Sequence, residues 1–180
     1  MTIRMAEPAD ADVIAQLHAR SWHSAYRGIL SDEFLDGPLL ADRRSLWRAR
    51  FAQVNRTDRM VLVDEVAGQI HGFACAYLDH DPDWGTLLDN LHVVPECKRR
   101  GLGRQLMSEV ANRLLALDRT RLHLWCFEQN HASRKFYERL GGVMTANQAE
   151  AAPDGREVNA VRYCWSDLAD VQWVREKSLK

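Results

Sequence analysis

The sequence has no long hydrophobic run. The first residues, from Met1 to Leu17, contain no apolar core of the length that a signal peptide requires, and no other stretch approaches the about 20 apolar residues of a membrane-spanning helix. We therefore expect a cytoplasmic protein without a membrane partner.

An excess of charge of one sign is also missing. The 24 lysines and arginines nearly balance the 25 aspartates and glutamates, which gives a formal net charge of -1 at pH 7. Binding to nucleic acid or to an anionic membrane surface usually requires a clear excess of positive charge. The composition therefore argues against nucleic acid as a partner, and any functional positive charge must be local.

Cysteine is scarce and scattered. The four cysteines, Cys75, Cys97, Cys126 and Cys164, form no CxxC pair, and most of them lie within apolar, strand-like segments. This pattern is typical of buried free thiols in a reducing compartment. We expect neither disulfide bonds nor a metal site, and we interpret the acidic segment 79–83 as a solvated turn.

The most informative segment runs from Leu88 to Met107. An apolar, strand-like stretch ends at Pro95, and a basic turn with Gly101 and Gly103 then leads into a helix. Glycine lets the backbone turn tightly and approach a ligand, and the first amides of a helix point outward as donors to anions. The segment therefore predicts a polyphosphate-binding site. Positive charge surrounds the turn at Lys98, Arg99, Arg100 and Arg104.

A second polar segment follows farther along the chain. Asn130, Ser133 and Tyr137 have the spacing of residues that share one face of a helix. Lys98-x-x-Gly101-x-Gly103 and Asn130-x-x-Ser133-x-x-x-Tyr137 together resemble the two acyl-CoA motifs of the GNAT acyltransferase superfamily. The resemblance covers most of the chain and is strongest between residues 87 and 144.

The resemblance implies that acetyl-CoA is the cosubstrate. Lys98 replaces the usual arginine or glutamine, which keeps the charge but removes planar bidentate contacts. A nucleotide-binding turn is an alternative interpretation. The lack of a full GxGxxG or GKS/T motif argues against it. The cofactor-binding residues that the resemblance implies are Leu91, His92, Val93, Lys98, Arg99, Arg100, Gly101, Leu102, Gly103, Arg104, Asn130 and Ser133.

Strands outnumber helices along the chain and occur in mixed order. The expected fold class is α/β (α+β), a single domain whose mixed, mostly antiparallel central sheet has helices on both faces. The resemblance implies a splay between the central strands, into which acyl-CoA enters. We expect residues 1–166 to form the domain and residues 167–180 to form a loosely packed C-terminal extension, whose Trp173 could equally contact a second subunit of a homodimer.

Acyl transfer from a thioester to an amine requires a neutral amine and a proton for the leaving thiolate. Tyr137 matches the family tyrosine that is thought to protonate the sulfur, and packing is its alternative role. Leu87 occupies a position where many members have a carboxylate. Asp89 shares its strand face and is the candidate base, with a solvated turn residue or a water chain as alternatives. We expect His92 on the opposite face, bonded to backbone.

The acceptor site is expected between the two N-terminal helical regions. Aromatic and acidic groups occur together there, a combination that suits a cationic amine, and the alternative is that the aromatic residues only pack in the core. The residues are Trp22, Tyr26 and Phe34, with Asp32, Glu33 and Asp36 beside them.

The predicted function is N-acetyl transfer from acetyl-CoA to a primary amine of a small molecule or a peptide. The amine would attack directly in a ternary complex, because no cysteine occupies a motif position. The alternative is a non-catalytic acyl-CoA-binding regulatory module, which the absence of a carboxylate at Leu87 makes worth testing.

Overall fold

The computed structural model describes residues 2–53 and 57–177, with side chains up to residue 174. Seven strands form one sheet in the order β1-β2-β3-β4-β5-β7-β6, and five α-helices of the described residues pack against it. The strands are β1 Thr2–Met5, β2 Arg59–Val66, β3 Gln69–Asp81, β4 Gly85–Val93, β5 Leu122–Phe127, β6 Val143–Ala151 and β7 Glu157–Trp165. The helices are α1 Ala11–Ala25, α2 Asp32–Asp36, α3 Leu39–Ala52, α4 Leu102–Leu115 and α5 His131–Arg139.

The sheet is antiparallel except at its centre. Strands β4 and β5 are parallel neighbours, joined through α4, and the remaining neighbouring pairs run antiparallel. A parallel pair requires a long crossover connection, which α4 supplies here. The mixed, mostly antiparallel sheet of a single domain confirms the predicted fold class.

The two central strands separate soon after they begin. Their ladder contains only Thr86 opposite Leu122 and Leu87 opposite His123. Beyond it, β4 stays paired with β3 as far as Val93, and β5 stays paired with β7 through its last residue. The facing edges of β4 and β5 therefore open into the splay that the resemblance implied.

The helices cover the two faces of the sheet, and alternate strand residues point to each. One face, here called the α4 face, is covered by α4 and α5, and the other, here called the α1 face, is covered by α1 and α3. Buried residues of the α4 face include Leu106, Val110 and Leu114, packed on Leu62, Ala74 and Ala76. Buried residues of the α1 face include Ile14, Leu17 and Trp47, packed on Val61, Val63 and Phe73.

Local sequence signals explain several boundaries. The hydroxyl of Ser31 accepts from the backbone N–H of Phe34 at 3.3 Å and so caps α2. Gly37 and Pro38 separate α2 from α3, as expected of two residues that disfavour a continuous helix. Strand β6 extends to Ala151, past the short apolar segment at its start.

The C-terminal extension is part of the main core, so the prediction of loose packing is wrong. Leu168, Trp173 and Val174 are buried in the cluster of the α4 face. The indole N–H of Trp173 donates to the carbonyl of Leu140 at 2.7 Å, and the hydroxyl of Ser108 donates to the carbonyl of Trp173 at 3.1 Å. Trp173 is therefore an intramolecular packing residue. Residues 178–180 of the extension lie outside the described residues.

Three of the four cysteines are buried, as their apolar context predicted, and Cys97 is half-buried. None of the four is paired. The segment 79–83 contains the end of β3 and the start of the turn after it, where the Asp81 carboxylate accepts from the backbone N–H groups of Asp83 and Trp84. Within residues 2–53 and 57–177, no cluster of histidine, cysteine and acidic residues could hold a metal ion, and no helix is long and apolar enough to cross a membrane.

Candidate active site

The glycine turn leads directly into α4. Gly101 precedes the helix with φ at +83°, and a Cβ added there would meet no atom within 4 Å. Glycine is therefore required for the backbone conformation and not for space. The N–H of Gln105 donates to the carbonyl of Gly101 at 3.0 Å, so the amides of Leu102 and Gly103 come before the first bond of the helix.

The first turn of α4 lies beside α5 and beside the end of β4. A Cβ on Gly103 would lie 3.5 Å from Cζ of Phe136 in α5 and 4.0 Å from Cγ2 of Val93 in β4. The side chain of Leu102 is buried in the core, so only its backbone faces the turn. The structure thus brings together the two predicted cofactor motifs and the strand edge between them.

The cations of the turn are exposed and surround the start of α4. Arg99 also adopts a positive φ of 64°, which directs the chain around the turn together with Gly101. Exposed cations near outward amides and a helix N-terminus are an arrangement suited to a polyphosphate. The exposed cations are Lys98, Arg99, Arg100 and Arg104.

The edge of β4 that borders the splay contains Leu91, His92 and Val93, all beyond the parallel ladder. His92 lies on the α1 face, where its Nδ1 is 3.0 Å from the hydroxyl of Ser21 and its ring centroid is 4.6 Å from that of His18. It is therefore bonded to a side chain and not to backbone. Burial, with the nearby positive charges of Lys98 and Arg43, lowers the pKa of His92 to about 3. His92 is thus neutral at pH 7 and a weak base.

A β-bulge changes the predicted side-chain directions in β4. Cys75 is opposite Asn90, but the next residue, Ala76, is opposite Leu88, so Asp89 is the extra residue. Arg50 of α3 donates to Asp89 at 2.7 Å and to Asn90 at 2.6 Å.

Asp89 and Asn90 therefore both point toward the α1 face, which is also the face of His92. The prediction that Asp89 and His92 lie on opposite faces is wrong, because strict alternation fails at a bulge.

The carboxylate of Asp89 is already paired. Its partner Arg50 is largely shielded, with the guanidinium 4.9 Å from the Trp47 ring centroid and 5.6 Å from that of Tyr77. An acceptor that contacted this carboxylate would have to displace Arg50 from a largely shielded ion pair. The pair therefore argues against Asp89 as the group that binds the acceptor and takes its proton.

Tyr137 is buried on the α4 face near the splay. Its ring centroid lies 6.1 Å from that of Tyr163 and 6.3 Å from that of Trp165. Burial raises the pKa of Tyr137 well above its ordinary value, and Cys126 and Tyr26 reinforce the shift. The phenol therefore keeps its proton at neutral pH and is a hydrogen-bond donor.

Asn130 and Ser133 are bonded to each other at the start of α5. The side-chain oxygen of Asn130 accepts from the N–H of Ser133 at 3.2 Å and so caps the helix. Asn130 is buried and Ser133 is half-buried. The cap fixes the orientation of the helix that also presents Tyr137.

The predicted aromatic residues of the acceptor site have unequal environments. Trp22 and Phe34 are buried in a cluster between α1 and α2, with Arg43 4.2 Å from the Trp22 ring centroid. Tyr26 is half-buried, and its ring lies 5.0 Å from Trp22 and 4.9 Å from Phe127. Tyr26 therefore connects the end of α1 with the end of β5, beside the splay.

The acidic residues predicted for the acceptor site, Asp32, Glu33 and Asp36, are exposed in α2. Two of them are already paired with a positive charge. Arg27 binds Asp32 at 2.7 Å and Asp36 at 2.7 Å, and His23 lies 2.9 Å from Asp36. These bonds hold the pKa of Asp36 at about 2. The expectation that Asp32 and Asp36 attract a cationic amine is therefore wrong.

Glu150 of β6 is a further candidate site residue, which the sequence did not indicate. It is half-buried, and burial raises the pKa of its carboxyl. Tyr26 has a raised pKa because of burial, the neighbouring Cys126 and the negative charges of Glu150 and Asp89, so these groups share one electrostatic environment. The sequence around Glu150 is polar and resembles a loop. The one local signal is Ala152, a small apolar residue two positions later, which would share a strand face with Glu150 and is buried in the structure.

A split mixed sheet, with a glycine turn and a buried tyrosine beside its opening, defines an acyltransferase of the class that the two motifs resemble. The model of the Acetyltransferase (GNAT) family matches residues 19–142, and the chain belongs to this family. The protein is therefore an acyltransferase enzyme.

Curated relatives and solved structures agree with this membership. The L-amino acid N-acyltransferase MnaT of Escherichia coli K12 is 29% identical over 177 residues, which cover 96% of this chain and 92% of that protein. The uncharacterized N-acetyltransferase YuaI of Bacillus subtilis is 24% identical over 176 residues, which cover 94% of this chain and 95% of the relative.

Two solved structures share the fold. The PaiA N-acetyltransferase of Thermoplasma acidophilum, in complex with coenzyme A, has a TM-score of 0.70 at 17% identity and covers 91% of this chain and 98% of its own. YncA of Salmonella typhimurium, with its cofactor acetyl-CoA, has a TM-score of 0.65 at 23% identity and covers 93% of this chain and 94% of its own.

Proposed function

We propose that the protein transfers an acetyl group from acetyl-CoA to a primary amine of a small molecule or a peptide. The observation that carries the proposal is the splay between β4 and β5, with the glycine turn at one end and Tyr137 beside it. The amine attacks the thioester directly in a ternary complex.

The thioester enters along the edge of β4. Backbone groups of Leu91, His92 and Val93 bind the pantetheine arm, and Asn130 and Ser133 contact it from α5. The amides at the start of α4 bind the pyrophosphate, assisted by the exposed cations of the turn. The two solved relatives that contain coenzyme A or acetyl-CoA support this assignment.

Direct attack agrees with the state of the cysteines. Burial raises the pKa of Cys126 to about 12 and that of Cys75 to about 12. Thiols with such pKa values are protonated at neutral pH and are poor nucleophiles. A covalent acyl-cysteine intermediate is therefore disfavoured at both residues.

Tyr137 supplies the proton for the leaving sulfur. When the carbon–sulfur bond breaks, its electron pair remains on sulfur, and the buried phenol donates to the developing thiolate. The acceptor must also lose a proton before it attacks, because an alkyl ammonium with a pKa near 10.4 is almost fully charged at pH 7, and its deprotonation costs about 4 to 5 kcal/mol. The sequence-based prediction that Asp89 takes this proton stays a prediction, and the Arg50 ion pair argues against it.

The acceptor enters on the α1 face, past Tyr26, with Trp22 and Phe34 behind it as a rigid wall. The name of the relative from E. coli makes amino acids the first acceptors to test. We also propose a cytoplasmic location, which the four free thiols support. A homodimer stays a prediction.

The proposal is tested by thiol release from acetyl-CoA in the presence of amino acids, polyamines, aminoglycosides or peptides, each against an amine-free control. Release above the control with one pool, together with the acetylated product by mass spectrometry, is the expected result. Acetyl-CoA binding without release in any pool would contradict the proposal and favour a non-catalytic acyl-CoA-binding module.

A further inference from the structure

Glu150 differs from its neighbours in an exposed edge strand. Of the nine residues of β6, only Ala146 and Glu150 are half-buried, and the other seven are exposed. Glu150 is opposite Val158 of β7, which packs against the cluster of Trp22 and Phe34. The side chain of Glu150 therefore points inward, to the aromatic wall on the acceptor side of the sheet.

The hairpin that presents Glu150 is fixed against the loop between α1 and α2. The almost fully buried carboxylate of Asp154 accepts from the N–H of Ser31 at 2.7 Å and from Arg156 at 2.8 Å. Arg156 also donates to the carbonyl of Ile29 at 2.6 Å. Glu150 is thus held on a rigid support beside the predicted acceptor entrance.

The carboxylate of Glu150 has no hydrogen-bond or ion-pair partner among residues 2–53 and 57–177. Other carboxylates in this region are occupied. Asp89 binds Arg50, and the two carboxylate oxygens of Glu128 accept from Asn147 at 2.9 Å and from Asn159 at 3.3 Å. A half-buried acid without a partner is costly for folding, which is typical of groups retained for binding or catalysis.

Tyr26 relates Glu150 to the proposed acid. Its ring packs 5.0 Å from that of Trp22, in the aromatic cluster that Glu150 faces, and its phenol interacts electrostatically with both Glu150 and Tyr137. Besides Glu150, the groups that act electrostatically on Tyr26 are Arg43 from α3, Asp89 from β4 and Cys126 from β5. A carboxylate beside aromatic rings attracts a cation both by its charge and by cation–π contact.

We propose that Glu150 binds the ammonium group of the acceptor and takes its first proton. This inference rests on the proposed function and names its substrate class, a primary alkylamine that is protonated at neutral pH.

The proton balance assigns one role to each residue. The ammonium gives one proton to the Glu150 carboxylate, and the free amine forms a carbon–nitrogen bond at the thioester carbonyl. As the carbon–sulfur bond breaks, sulfur keeps the electron pair and takes the Tyr137 proton. The second proton lost by nitrogen restores the phenol, and Glu150 releases its own proton to solvent.

The test compares E150Q and E150D with the matched control E157Q. Glu157 is an exposed carboxylate on the same hairpin, opposite Ala151, so E157Q makes the same chemical change outside the site. For an alkylamine acceptor, E150Q should lower kcat/KM by about 100-fold or more at pH 7 and leave the acetyl-CoA Kd within about 2-fold. E150D keeps the charge with a shorter reach and should retain an intermediate activity, and E157Q should equal wild type.

Two readouts separate catalysis from a structural effect. The E150Q defect should shrink as the pH approaches the pKa of the acceptor, because the amine then loses its proton without help. It should also be small for an arylamine, which is neutral at pH 7.

If the turnover of E150Q stays within about 2-fold of the wild type, the role of Glu150 is overturned but the proposed function is not. Acetyl-CoA binding without turnover of any amine by the wild type would overturn both.

Discussion

The first turn of α4 contacts α5 at Gly103 and Phe136, where a Cβ on Gly103 would lie 3.5 Å from the Cζ of Phe136. This is an ordinary van der Waals distance, so a small side chain fits at position 103. The position therefore allows a change of charge at the proposed pyrophosphate site without a steric penalty.

Gly103→Asp should weaken acetyl-CoA binding by about 10- to 100-fold, because it places a carboxylate near the pyrophosphate at a cost of about 1 to 3 kcal/mol. Calorimetry would measure the Kd. The matched control Gly103→Ala should bind within about 3-fold of wild type. An acidic residue in the first turn stabilises a helix, so lost binding would not reflect unfolding. An unchanged Kd in folded Gly103→Asp would contradict the pyrophosphate site.

Tyr137→Phe should lower kcat by about 10- to 10⁴-fold, because it removes the proton that the thiolate receives. The ring packing stays, so the acetyl-CoA Kd should change by less than about 2-fold. Tyr163→Phe is the matched control, since the Tyr163 hydroxyl bonds to Glu138 at 2.6 Å and has no proposed role in transfer. Steady-state kinetics on both variants would decide the role, and full activity of Tyr137→Phe would reduce Tyr137 to a packing residue.

Local patterns predicted most of the fold. The apolar spacing in α1, the break at Gly37 and the turn before α4 depend on neighbouring residues, and a single sequence shows such signals directly. The glycine turn and the face shared by Asn130 and Tyr137 were predictable for the same reason. The splay came from the resemblance, and the order of the strands was not predicted, because pairing depends on residues far apart in the chain.

The remaining features depend on long-range contacts. The bulge at Asp89 arises from the pairing of β4 with β3, and alternation along β4 alone predicts the wrong faces. Trp173 belongs to the core through a bond to Leu140, 33 positions earlier. Glu150 was missed because an edge strand has little apolar alternation, so its sequence resembles a loop.

Asp89→Asn tests the base that the sequence predicted. We expect kcat/KM to fall by less than about 3-fold, because Arg50 and not the acceptor occupies the carboxylate. The free energy of unfolding should fall by about 1 to 2 kcal/mol, because a partly shielded ion pair becomes a neutral hydrogen bond. Urea unfolding and steady-state kinetics give the two values. A loss of turnover of about 100-fold with unchanged stability would restore Asp89 as the base and remove that role from Glu150.

His92 makes stability depend on pH. Its pKa is about 3 in the folded protein, against an ordinary value of 6.5, so between these values the unfolded chain binds a proton that the folded chain does not. The free energy of unfolding should therefore fall as the pH drops below 6.5, by up to about 1.4 kcal/mol per pH unit from this residue, until about pH 3.

Urea unfolding of wild type and His92→Gln between pH 6.5 and pH 4.5 measures this contribution. Glutamine keeps a partner for Ser21, which lies 3.0 Å from His92, but does not titrate. The wild type should lose stability more steeply than His92→Gln, and His131→Gln, at an exposed histidine at the start of α5, should follow the wild type. Parallel curves for wild type and His92→Gln would mean that His92 is protonated in the folded protein at these pH values, which would return it to the list of candidate bases.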